Sequence, residues 1–179
     1  MTEAPERARD LDRTVNDVLR LARSGHTPLG PLATEPLGPL ADGIEQRWHG
    51  LFAKDGRRVD FDLDPQTRDL RVPGRVVGQI LDILLDNARS HGRGSTTVTA
   101  RDLGDAVALD VTDEGTLHTD QATMFSRGHT TGSGTGIGLA LATDLAHSSG
   151  GRLALTDTDP TTFTLLLPLR RDEDVEDPA

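Results

Sequence analysis

The chain has no cysteine among its 179 residues. That excludes a disulfide framework and any zinc or iron–sulfur centre built on thiolates, and it fits a reducing compartment. No apolar run approaches the roughly 20 residues that a membrane-crossing helix needs. The opening decapeptide MTEAPERARD is too polar for a secretory leader. Positive charge is also scarce: 19 Lys+Arg stand against 29 Asp+Glu, a formal net charge of −10 at pH 7. No broad basic surface is available to displace counterions from phosphates, so nucleic acid is not an expected partner. An anionic ligand would have to be held by local backbone dipoles or by a metal. What is present is enough for a core, since 35% of residues are hydrophobic and 27% charged. The length suits one compact domain with appendages.

Residues 6 to 23 read as a helix. Leu11, Val15, Val18 and Ala22 step by four, three and four, the narrow seam of a coiled coil or bundle. Such a seam either packs on a partner helix or docks on its own domain. Residues 24 to 43 hold a small repeat, Pro28-Leu29-Gly30-Pro31-Leu32-Ala33 and Pro36-Leu37-Gly38-Pro39-Leu40-Ala41, whose first copy reads as a connector. From Leu40 the spacing Leu40, Ile44, Trp48 predicts a short helix carrying the only tryptophan. Val59, Phe61 and Leu63 alternate with Asp60, Asp62 and Asp64, a half-buried strand. A long helix is expected over 73–91, then strands over 95–101 and 106–112 joined by the turn Leu103-Gly104-Asp105. A short helical piece is expected near Gln121–Phe125. A helix over 136–149 ends at Gly150-Gly151, and strands over 152–157 and 161–167 follow. The tail Asp172 to Asp177 reads as a solvated, disordered acidic end. Helices interleaved with hairpins, without a regular βαβ beat, predict an α/β fold: a two-layer sandwich with a mixed sheet.

Three features point to chemistry. On the long helix Val76, Ile80, Leu84 and Ala88 form an apolar row, and Gln79, Ile83, Asn87 and His91 run beside it. An amide there needs a partner, either as a cap on a strand end or as an oxygen ligand to a hydrated magnesium ion that bridges phosphates. At the end of the strand Val107, Leu109, Val111 stands Asp113-Glu114-Gly115. That carboxylate is either a turn former or the acceptor for an amino group on a ring packed against the sheet. Third, Gly128 to Gly138 contains five glycines in eleven residues and runs straight into the apolar helix Leu139-Ala140-Leu141-Ala142. Glycines permit close backbone approach, and a helix start offers unpaired N–H groups and partial positive charge. The loop follows a hairpin rather than the first strand of a βαβ unit, which fits a Rossmann fingerprint poorly. The lysine of a Walker loop is absent.

In order, these segments resemble the bacterial sensor histidine kinases. Gln79 to His91 is similar to their N box, Asp113-Glu114-Gly115 to the G1 box, and Met124-Phe125-Ser126-Arg127-Gly128 to the F box. Gly132 to Leu141 is similar to the G2 box, and the strand Thr162 to Pro168 is also typical. The resemblance covers roughly residues 37 to 169, and four motifs in the right order are far more specific than one. It implies the Bergerat ATP-binding fold, a mixed sheet covered on one face by helices, with ATP and Mg2+ as cofactors. The implied organisation is 1–24 as the end of a dimerisation and phosphoacceptor segment, 25–36 as linker, 37–169 as catalytic domain and 170–179 as tail. By position, Asn87 would coordinate magnesium, Asp113 read the adenine amino group and Gly115 admit the ring. Gly134, Gly136 and Gly138 would cradle the phosphates, with backbone N–H groups of Thr135 and Leu139. Thr164 would lie under the adenine, His91 beside the phosphates, and residues 118–135 would form the lid.

The pattern departs in places. The first N-box Asn is Ile83, the usual basic residue is Ser90 so that Arg89 or Arg93 would substitute, and Thr116-Leu117-His118 replaces a common Pro-Gly-Ile. These bear on turnover more than on nucleotide binding. The family's acceptor motif, a His followed by an acidic residue and Leu-Arg-Thr-Pro-Leu, is absent. His26 before Thr27-Pro28-Leu29 lacks the acidic neighbour, and His49, His118, His129 and His147 have no paired metal spacing. The expectation is therefore a cytoplasmic catalytic part of a membrane-anchored histidine kinase. It would phosphorylate a histidine on a dimerisation domain absent from this chain, for transfer to a response regulator, and dimerise only in the full-length kinase. The alternatives are a stand-alone serine kinase of the anti-sigma-factor type, in which no segment like Leu11–Arg23 is expected, and a degenerate nucleotide-binding scaffold.

Overall fold

The computed structural model of the protein describes residues 33–117 and 138–169. The expected helix over 6–23, most of the linker, the helical piece near 121–125, the lid, the glycine loop up to residue 137 and the acidic tail lie outside the described residues. The described elements are, in order, β1 (Glu35–Pro36), α1 (Leu37–Lys54), β2 (Val59–Asp62), α2 (Pro65–Arg68), β3 (Arg71–Val72) and α3 (Gly74–His91). Then come β4 (Thr96–Asp102), β5 (Ala106–Asp113), α4 (Gly138–Ser148), β6 (Arg152–Thr158) and β7 (Thr161–Pro168).

α1 begins three residues before Leu40, where the periodicity placed it. The second copy of the Pro-Leu-Gly-Pro repeat forms its first turn, with Pro36 as N-cap and Pro39 at the third helical position. A proline there forfeits nothing, because the first N–H groups of a helix have no intrahelical acceptor. Leu37, Ala41, Ile44, Trp48 and Phe52 make the buried stripe. The Trp48 indole N–H donates to Asp82 Oδ1 on α3 at 2.8 Å, so its polar end is satisfied across the helix pair. α3 buries Val76, Val77, Ile80, Leu81, Ile83, Leu84, Leu85 and Ala88, a stripe wide enough to face both α1 and the sheet.

The main sheet has the order β2-β4-β5-β7-β6, with β2 parallel to β4 and every other neighbour antiparallel. β4 and β5 meet through Gly104 at φ 84°, as the hairpin signal required. β2 stops at Asp62, and Leu63 packs partly buried against the core just beyond it. α2, one turn of four residues, and the two-residue ladder β1–β3 were not anticipated. Elements so short carry no detectable period. Val98 and Ala100 of β4, Val107, Leu109 and Val111 of β5, Leu153 and Leu155 of β6, and Phe163, Leu165 and Leu167 of β7 form the core with the helices. The opposite face is polar: Asp110 takes the Arg101 guanidinium at 2.8 and 3.2 Å and also the Thr164 hydroxyl. This is the expected two-layer α/β sandwich with helices on one face of a mixed sheet.

Candidate functional site

Asp113 is the last residue of β5, and the register sets it opposite Thr96 of β4 and Thr161 of β7. These three lie side by side on the helix-facing surface, with 0%, 6% and 5% exposure for Thr96, Asp113 and Thr161. A polar row at that depth, where the apolar core ends, is out of place unless something uses it. Asp113 Oδ1 accepts the N–H of Gly115 at 2.7 Å and that of Arg93 at 3.1 Å. The first contact is an Asx turn, so the turn-forming role is real but occupies only one oxygen. Among the described residues no hydrogen bond uses Oδ2.

Two glycines press on this carboxylate. A Cβ on Gly115 would lie 2.6 Å from Asp113 Oδ1, which explains why this position is bare. A Cβ on Gly92, the C-cap of α3, would lie 2.6 Å from Asp113 Cγ and 2.6 Å from the Ala88 carbonyl oxygen. The Gly92 φ of −74° suits any residue, so the constraint there is space alone. Gly92→Ala is therefore expected to cost about 1–3 kcal/mol of stability through overpacking, read as a lower midpoint in denaturant unfolding. A midpoint equal to the native one would contradict this contact.

The structure brings the end of α3 to this same place. Gly92 and Arg93, which meet the Asp113 carboxylate, follow α3 directly, and Asn87 and His91 sit in the last turns of that helix. Asn87 is half-buried, and its amide makes no side-chain hydrogen bond among the described residues. The strand-end cap considered for it is therefore not seen there. His91 and Ser90 are exposed. Arg89 is drawn away to Asp55 at 2.8 Å and Asp86 at 3.6 Å, which removes it as a substitute for the missing basic residue and leaves Arg93. Ile83, six per cent exposed, packs under the start of α4, where a Cβ on Gly138 would lie 3.4 Å from its Cγ2. Leu139 packs partly buried against the core. Gly134, Thr135 and Gly136 lie outside the described residues.

Thr164 is not brought to this group. It lies on the opposite face of the sheet, donating to Asp110 and sharing a 2.8 Å hydrogen bond with Thr156. The threonine beside Asp113 is Thr161, which the sequence reading missed; its N–H and hydroxyl both donate to the Gly115 carbonyl, at 2.8 and 2.9 Å. Strand parity was the available signal. Thr161 shares its face with Phe163, Leu165 and Leu167, whereas Thr164 is one residue out of phase.

A model of the family described as histidine kinase-, DNA gyrase B-, and HSP90-like ATPase matches residues 74–171, more than half of the chain. The chain belongs to this ATPase family. Within the family it is 31% identical over 169 residues to a probable sensor histidine kinase HK of Mycobacterium tuberculosis (strain CDC 1551 / Oshkosh), covering 88% of this chain and 42% of that protein. It is 24% identical over 128 residues to the virulence sensor histidine kinase PhoQ of Salmonella typhimurium (strain 14028s / SGSC 2262), covering 69% of this chain and 26% of that one. The chain thus spans less than half the length of these relatives. Its fold is that of full-length ShkA solved with AMPPNP, at a TM-score of 0.74, 22% identity, 89% of this chain and 36% of the other. The catalytic domain of histidine kinase ThkA gives a TM-score of 0.67 at 23% identity, over 76% of this chain and 97% of that domain.

Proposed function

We propose that this ATPase-family chain is the ATP-binding catalytic domain of a sensor histidine kinase. It delivers the γ-phosphoryl group to a histidine on a dimerisation and phosphoacceptor domain, which passes it to a response regulator. The observation that carries the reading is the Asp113 carboxylate: buried at a strand end, fixed through one oxygen by two backbone N–H groups, with the other oxygen unengaged among the described residues. Oδ2 accepts a hydrogen from the adenine amino group, and the bare Gly115 lets the ring lie close. Thr161, rather than Thr164, is the hydroxyl at that end of the pocket. The phosphates run toward Gly134, Thr135, Gly136, Gly138 and Leu139, where main-chain N–H groups at the start of α4 receive them.

The Asn87 amide, without a side-chain partner among the described residues, fits a magnesium ion, and no cluster of three acidic or imidazole side chains among those residues competes for it. Magnesium takes one or two protein oxygens and completes its shell with water and phosphate, and when bound it would neutralise charge on the triphosphate. Phosphoryl transfer asks little more of the chain than positioning. The acceptor imidazole nitrogen forms the new bond to the γ-phosphorus as the bond to the bridging oxygen breaks, ADP leaves, and His91 stands beside the phosphates. No helix among the described residues is long and apolar enough to cross a membrane.

The test is direct titration of the full chain with ATP and magnesium, then incubation with γ-labelled ATP and a separately supplied phosphoacceptor domain. Saturable ATP binding and acid-labile label on the acceptor histidine are expected. An absence of nucleotide binding would return the chain to a scaffold role, and acid-stable label on serine would return it to the serine-kinase alternative.

A further inference from the structure

Outside the residues that face the ligand, one cation is spent wholly on backbone. Arg57 follows the turn closed by Gly56, at φ 67°, between α1 and β2. Its Nη1 donates to the carbonyls of Ala88 at 2.8 Å and Arg89 at 3.1 Å, and its Nε donates to the carbonyl of Gly94 at 2.7 Å. The guanidinium lies 5.4 Å from the centre of the Phe52 ring, and its remaining nitrogen, Nη2, is buried without a partner among the described residues. A surface charge would not be placed this way; the planar fork is being used for its shape.

The three carbonyls lie on both sides of one short segment. Ala88 and Arg89 are in the last turn of α3, and Gly94 is two residues past its cap. Between them stand only Ser90 to Arg93. Arg93 gives its N–H to Asp113 Oδ1 and takes the Glu114 N–H at 3.1 Å on its own carbonyl. One rigid side chain thus fastens both ends of the segment that sets the rotation of the Asp113 carboxylate. We propose that Arg57 is a positioning residue for base selection: it holds residues 92–94 so that Asp113 presents Oδ2 to the purine amino group. The inference rests on the reading of Asp113 given above and adds to it a residue that touches no ligand. A carboxylate correctly turned accepts from the 6-amino group of ATP and repels the 6-oxo group of ITP. A carboxylate released to rotate loses that contrast.

The experiment measures dissociation constants of the full chain for ATP and for ITP in the native protein, Arg57→Met and Arg57→Lys, with circular dichroism to confirm folding. Met keeps the packing on Phe52 and removes every donor, so the ATP-over-ITP ratio is expected to fall about tenfold or more, a part of the discrimination that a hydrogen bond to a charged acceptor supplies. Lys keeps charge and one donor group but cannot span three carbonyls, and its ratio is expected to fall between the two. A purely structural role lowers the thermal midpoint and leaves the ratio unchanged. A folded Met variant with the native ratio overturns the proposal, and where Met does not fold, a Lys variant with the native ratio does so. A native protein that binds ATP and ITP equally, or neither, overturns the reading of Asp113 itself and Arg57's role with it.

Discussion

Asp113→Asn is expected to weaken ATP binding by about two to three orders of magnitude while leaving the fold in place. The amide oxygen can take over the position of Oδ1 and go on accepting from Gly115 and Arg93 N–H at the distances now held by the carboxylate, 2.7 and 3.1 Å. The Asx turn and the end of β5 therefore persist. The amide NH2 then occupies the place of Oδ2 and points a donor at the adenine amino group, itself a donor. A hydrogen bond to a charged acceptor, together with the cost of leaving its partner unpaired, amounts to about 3–4 kcal/mol, and each 1.4 kcal/mol is tenfold in affinity. Were the amide to flip, it would satisfy the base and break the turn instead, since an NH2 cannot accept from two N–H groups. Calorimetric titration checks the outcome. An affinity within about threefold of the native value would show that Asp113 serves the turn alone, because a hydrogen bond to a charged group is worth more than that.

Much of this arrangement could be read from residue order, for physical reasons that also explain the omissions. α3 carries eighteen residues of one amphipathic period, and β4 and β7 alternate cleanly while β5 and β6 do so in part, around turn residues, so their types and nearly their ends followed from pattern. The start of α1 was hidden because Pro39 reads as a breaker unless it is known to fall in a first turn. α2 and the β1–β3 ladder are stabilised by tertiary neighbours rather than by any repeat of their own. Within the site, Asp113 and Gly115 announced themselves as an Asp-x-Gly at a strand end. Gly92 did not, because its φ is ordinary and what forbids a side chain is the space taken by the Ala88 carbonyl and by Asp113, twenty-one residues later. Motif position alone points to Thr164, whereas counting by twos from Phe163 places Thr161, not Thr164, on the helix-facing side. Arg57 was invisible for a related reason. Its partners are carbonyl groups, which every residue has, and no spacing in the sequence marks which of them a guanidinium about thirty residues away will reach; the Ala88 carbonyl already takes the Gly92 N–H at 2.8 Å.

Asn87→Ala is expected to move stability and activity in opposite directions. A half-buried amide with no side-chain partner among the described residues contributes no hydrogen bond that truncation would break. Asparagine is a poor interior helix residue and alanine the best, so α3 gains about 0.5 kcal/mol, and the thermal midpoint should stay level or rise by a few degrees. Activity should fall. On the proposed role of Asn87, a divalent ion at the phosphates would lose its protein anchor, and the triphosphate would be neither neutralised nor aligned for the incoming imidazole. Misplacing charge stabilisation of that kind costs about two to three orders of magnitude in rate. ATP affinity measured without magnesium should change little, because the adenine contact proposed for Asp113 would be untouched. The measurement pairs thermal unfolding with the rate of label transfer to the supplied acceptor domain, with and without magnesium. A strand-capping role for Asn87 would instead lower the midpoint and the rate together, and restoring stability elsewhere would then recover the rate. A site whose partner is a ligand behaves otherwise: the variant is more stable when empty, because the polar group it lost was held unpaired for something that had not yet arrived.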